Sequence, residues 1–142
     1  VHTLFAELGA DLSPFPSGDH FASWLGLCPD NRISGGKVLS VQTRRVKHRV
    51  AQVLRLAAQS LFRSQSVLGG FFRRMRAKLG APKAITTTAH KLARIIYHLV
   101  TTRQPYDESR LAAAEADHRR RTESRLRSHA RALGFQLVPV AE

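Results

Sequence analysis

The chain has 142 residues, the size of one domain with a core large enough to need no disulfide or metal. Its single cysteine, Cys28, cannot close an internal disulfide, and no apolar run approaches the roughly 18 residues of a membrane span. Cysteine usage and the lack of a signal peptide point to a reducing cytosol, and a chain that opens on Val1 instead of Met is expected to be part of a longer protein. A net charge of +13 makes a polyanion the expected partner.

In chain order, residues 2–8 read as the end of a helix that Gly9 stops. A turn at residues 13–17 follows, after which Ser17 and Asp19 are placed to cap a short helix carrying Phe21, Trp24 and Leu25 on one face, most simply a core face. Residues 1–29 form a first section, the end of a connecting helical region plus this short helix. Residues 30–45 have weak periodicity, adjacent glycines and several cations, and read as a basic Ser/Gly loop or irregular hairpin.

Three amphipathic stripes follow in residues 46–104. The first runs through Val46, Val50, Val53, Ala57 and Leu61, the second through Leu68, Phe71, Phe72, Met75 and Leu79, and the third through Ile85, Ala89, Leu92, Ile96 and Leu99. Stripes of this kind close on one another, so the fold class expected is mainly all-α, a small three-helix basic bundle. Residues 105–142 form a C-terminal arm and tail. Between residues 107 and 133 the only large apolar residues are Leu111, Leu126 and Leu133, which gives a long helix that packs on little of its own chain. Residues 135–139 read as a short strand or an extended tail.

The charge is segregated. Residues 1–30 contain four acids and no Lys or Arg, whereas residues 31–106 contain sixteen Lys and Arg and no acid. Unopposed positive charge repels itself unless a polyanion lies against it, and phosphates are the commonest such partner. The same count argues against a two-metal nuclease within this chain, because such a centre needs several carboxylates. His90, Arg94 and His98 share a helix face, but a third ligand is lacking and the arginine repels a cation, so no metal site is expected. Cys28 reads as a small core residue, and Gly35-Gly36-Lys37 followed by Val38 is not a nucleotide-binding phosphate loop.

The stretch NRISGGKVLS, residues 31–40, carries the most chemistry. Gly35 and Gly36 let backbone approach a ligand and aim N–H groups at an anion. Arg32, Lys37, Arg44 and Arg45 are candidates for neutralising a phosphate, with Lys47 and Arg49 following them along the chain. A serine hydroxyl in that field is placed to attack phosphorus, yet no local acid completes a triad. On the residues alone, Ser34 fits a turn residue or phosphate ligand better than a nucleophile.

Residues 21–37 (FASWLGLCPDNRISGGK) closely resemble the C-terminal domain of the insertion sequence 110 (also 116 and 902) transposases. The resemblance continues through residues 49–65, 68–76, 80–86 and 90–94, and residues 132–135 look like one branch of the family. It implies a two-part enzyme. An N-terminal RuvC-like domain holds magnesium on four carboxylates, and the C-terminal domain contributes a serine that attacks DNA and becomes linked to it. The Ser-Gly motif of the family falls on Ser34 and Gly35, which makes Ser34 the expected nucleophile and Ser40 the second choice. Where many relatives carry Gly-Asn before the next helix, this chain reads Arg45-Val46-Lys47-His48. The resemblance further implies DNA and a guide RNA as partners, a homo-oligomer in the full-length form, a bacterial cytoplasm, and magnesium only with the missing domain. A non-catalytic DNA- or RNA-binding module is the alternative that the basic composition allows.

Overall fold

A computed structural model describes residues 6, 7, 9, 11–29, 32–40, 42–44 and 46–139, except the side chains of Arg32 and Val38. The chain is mainly α-helical, as its stripes predict, with one two-stranded ribbon among the described residues. Its elements are α1 (Gly18–Trp24), β1 (Arg32–Ser34), β2 (Lys37–Ser40), α2 (Arg49–Ser60), a 3₁₀ turn (Leu61–Arg63), α3 (Val67–Leu79), α4 (Ala81–Thr102) and α5 (Glu108–Ala132). Two compact units result, residues 1–106 and 107–142.

In the first unit α4 is the hub, since α1, α2 and α3 all pack against it. Its most buried residues are small: Ala84, Thr88, Ala89 and Ala93. Several helices crowd one, and backbones approach where side chains are short. The larger Ile85, Leu92 and Ile96 lie partly buried at the margin of the core, which Phe21, Leu25, Leu27, Val50 and Leu54 fill. Tyr97 ties the preceding turn to α4 by donating its hydroxyl to the Phe15 carbonyl at 2.7 Å.

Local chemistry sets the helix ends. Ser17 caps α1 by accepting from the His20 N–H, and Ser66 caps α3 by accepting from the Gly69 N–H. Gly80 separates α3 from α4, and Pro82 stands in the first turn of α4, where its missing N–H costs nothing.

Several expectations are corrected. The buried stripe of α2 is Val50, Ala51, Leu54 and Ala58, while Ala57 is exposed. The helix begins only at Arg49, so Val46 lies outside it and the phase that Val46 suggested does not apply. Trp24 is 45% exposed, at the edge of the α1 face, and packs on Phe15 and His48 instead of entering the core with Phe21 and Leu25. Of the two readings of residues 135–139, the strand does not form, which leaves the extended tail. The helix expected over residues 2–8 lies largely outside the described residues, of which residues 6 and 7 are helical.

The second unit is α5 and its tail. Asp107 caps the helix by accepting from the Ser109 N–H, and none of its residues is buried within the 25-residue span. Local ion pairs join Arg110 with Asp107, Arg120 with Asp117 and Arg127 with Glu123.

Candidate nucleic-acid interface

The basic stretch folds as an antiparallel ribbon closed by Gly35 and Gly36. Both have positive φ, 54° and 75°, the conformation that a two-residue turn between right-twisted strands demands and that glycine adopts without strain. Ser34 pairs with Lys37 across the turn, Ile33 with Val38, and Arg32 with Ser40. The register shifts between the last two pairs, which leaves Leu39 as an extra residue in β2.

That shift has a chemical consequence. Cross-strand partners share a face and alternate positions along one strand share a face, so positions 32 and 34, Lys37 and Ser40 fall on one side of the ribbon. In an unbulged register Ser40 would join position 38 on the side of Ile33. The irregularity therefore gathers both candidate hydroxyls and Lys37 on a single face, which alternation along β2 gives Leu39 as well.

The ribbon is held at its neck. Pro29 and Thr43 form an isolated antiparallel bridge. Arg44 donates through Nη2 to the Ser23 carbonyl at 3.1 Å and to the Ser23 hydroxyl at 3.0 Å. Val46 crosses directly over Gly26, and the Trp24 and His48 rings meet edge-on with centroids 4.3 Å apart. Thus α1 and the turn after it position the ribbon.

Ser34, Gly35, Gly36, Lys37 and Lys47 are all exposed, and among the described residues nothing hydrogen-bonds to the Ser34 hydroxyl. Ser40 is half-buried and accepts from the Gln42 N–H at 3.3 Å. Arg44 remains exposed but has one terminal nitrogen engaged by Ser23, so part of its donor fork serves structure. Arg49 is exposed and pairs with Glu7 at 3.2 Å. The Arg32 side chain and Arg45 lie outside the described residues.

Away from the ribbon, the structure brings together groups that the sequence separates. Arg76 stacks its guanidinium 4.4 Å from the centroid of Phe62, itself 44% exposed, while Arg73 donates to the Phe62 and Ser64 carbonyls and closes the 3₁₀ turn. Only the chain reversal at residues 64–66 makes these neighbours, so no local spacing signals them. On α4, Arg94 Nε lies 3.2 Å and His90 Nε2 3.8 Å from Asp19 Oδ1. Burial, with Arg94 beside it, lowers the His90 pKa below its ordinary value despite the opposing pull of Asp19. Burial likewise raises the Cys28 thiol pKa, keeping it a neutral thiol as its reading as a core residue expects. Among the described residues no three His, Cys, Asp or Glu side chains gather where they would hold a metal. None of the described helices is long and apolar enough to cross a membrane.

A glycine-turned basic ribbon, mounted on an acid-poor helical unit and presenting hydroxyls, belongs to the class of domains suited to meeting a polyanionic backbone. The family is specific. The model of the Transposase IS116/IS110/IS902 family matches residues 1–73, just over half of the chain, and the chain belongs to that family. It is also 34% identical over 105 residues to a protein of Sinorhizobium fredii (strain NBRC 101917 / NGR234) named "Putative transposase y4pF/y4sB". That match covers 67% of this chain and 26% of the relative, so the chain spans about a quarter of that protein's length. No solved structure matches the chain.

Proposed function

We propose that this chain is the serine-bearing C-terminal part of a DNA transposase, in which Ser34 attacks a phosphodiester. The observation that carries the reading is the placement of Ser34: exposed, next to the Gly35-Gly36 turn and paired across it with Lys37. Membership of a transposase family supports the reaction class. The Ser34 oxygen forms a bond to phosphorus as the bond from phosphorus to a deoxyribose oxygen breaks, and the hydroxyl proton is found at the end of the step on the leaving sugar oxygen. Lys37, with Arg32, Arg44, Arg45, Lys47 and Arg49 from the ribbon and its neck, would stabilise the charge that develops on the phosphoryl oxygens.

In this reading magnesium belongs to an N-terminal RuvC-like domain of the longer protein, DNA and a guide RNA are the partners, and the active form is a homo-oligomer in a bacterial cytoplasm. Ser40, on the same face, is the alternative nucleophile, with a hydroxyl already occupied by the Gln42 N–H. A non-catalytic nucleic-acid-binding module is the competing reading, favoured by the lack of a described base at Ser34. Both readings predict salt-sensitive binding, so strand exchange is the discriminating assay. In the full-length protein Ser34→Ala should abolish strand exchange and leave DNA binding intact, whereas Ser40→Ala should retain it. Normal strand exchange by Ser34→Ala refutes the assignment.

A further inference from the structure

We propose that Phe62 and Arg76 form a second nucleic-acid contact, a stacking platform for a base of an unpaired strand. The inference rests on the reading that the chain meets nucleic acid, but not on the role of Ser34. Phe62 stays 44% exposed although the Arg76 guanidinium lies over its ring, 4.4 Å from the centroid, whereas its ring partner Phe72 is buried. The exposed ring is also firmly held. It meets Phe72 edge-on with centroids 6.3 Å apart, and Arg73 Nη1 donates to the Phe62 carbonyl at 3.2 Å and to the Ser64 carbonyl at 2.6 Å. Gly69 completes the mount: a Cβ there would overlap the Ser64 carbonyl oxygen, so glycine is what lets α3 come this close to the 3₁₀ turn.

Charge and ring chemistry together decide the ligand. Among the described residues Arg76 meets no carboxylate, and residues 31–106 hold no acid that could supply one locally. Its N–H donors are thus open to an anion while Phe62 fixes where they stand, and Arg63, next to Phe62 in the turn, is exposed as well. A nucleic-acid strand offers phosphates to such donors and base faces to an aromatic ring or a guanidinium plane. In a paired duplex both faces of each base are covered by its stacked neighbours, so an unpaired strand is the form that fits. A second copy, with the same net charge of +13, would set cations against cations.

The test titrates the 142-residue chain with single-stranded DNA, single-stranded RNA of the same sequence and the matching DNA duplex. Phe62→Leu keeps an apolar side chain against Phe72 but removes the aromatic face, and should weaken single-strand binding about fivefold or more while leaving duplex binding unchanged. Phe62→Tyr should bind the single strand as the parent does. Arg76→Gln should weaken it too and lower the slope of log affinity against log salt by about 0.7, a slope that Phe62→Leu leaves alone. A loss on either single strand supports the platform, and the strand affected names the sugar it takes. Parent-like affinity of Phe62→Leu for both single strands, or equal losses on strand and duplex, overturns it. If the unaltered chain binds duplex but no single strand, the platform alone falls; if it binds neither, the nucleic-acid reading falls with it.

Discussion

At Gly26 the backbone sits at φ +68°, and a Cβ there would lie 2.8 Å from Val46 Cγ2 and 3.2 Å from the Arg44 carbonyl oxygen. Two costs therefore fall on one residue. An L side chain in the left-handed region costs about 1–2 kcal/mol, and overpacking adds roughly 1–3 kcal/mol. Because Val46 and Arg44 are the exit of the ribbon, relief of the clash must come from the neck that positions Ser34. Gly26→Ala should lower stability by about 2–5 kcal/mol in a denaturant titration and weaken DNA binding by more than the unfolded fraction explains. A variant as stable as the parent would show that the neck is not a fixed mount. By contrast, Gly35 and Gly36 have open space around them, so only backbone conformation, not contact, requires glycine there.

Between elements, the one acid of α1, Asp19, meets His90 and Arg94 of α4. Since burial depresses the His90 pKa, the folded chain resists a proton that the unfolded chain accepts. Between the ordinary histidine value and the lower folded one, the unfolded state binds more protons, so stability falls as pH drops through that window and is fully present above it. Melting temperature should decline from about pH 7.5 to about pH 5.5, and His90→Gln should flatten that decline. An unchanged pH slope in the variant would assign the loss to other groups. The lowered pKa values of Asp11 and Asp107 act at more acidic pH and leave this window clear.

The same scale shows what the sequence can convey. Helix existence was readable from the stripes, and the capping residue Ser17 marked a start that the structure keeps. The phase of α2 was not, because Val50 belongs to both the expected and the observed stripe and only the true start of the helix separates them. The small-residue core of α4 also escaped, since Ala84, Ala89 and Ala93 carry weak hydrophobic weight and owe their burial to helices distant in sequence. In the site, Gly35-Gly36 announced a turn, but the register shift at Leu39, which brings Ser40 to the face of Ser34, depends on cross-strand pairing that composition does not encode. The engagement of Arg44 with Ser23 spans 21 residues, so no local spacing signals it.

For the whole molecule, charge segregation and topology converge. Of the acids of residues 1–30, those described pair locally or with the bundle: Asp11 with Ser13, Glu7 with Arg49, Asp19 with Arg94. The ribbon is left cationic at its tip, where Ser34 and Lys37 face each other across the turn. Family membership assigns this chain to transposases, and it spans about a quarter of the relative. In the proposed division of labour this chain would supply the hydroxyl and cations, and a separate domain the carboxylates.

The central claim is that the hydroxyl at the ribbon tip becomes covalently joined to DNA. The direct measurement is to incubate the full-length protein with a DNA substrate that traps the broken strand, digest the adduct with protease, and locate the modified residue by mass spectrometry. A nucleotide attached through phosphorus to Ser34 is the predicted result. An adduct on Ser40 or elsewhere, or strand exchange without any covalent adduct, would contradict it.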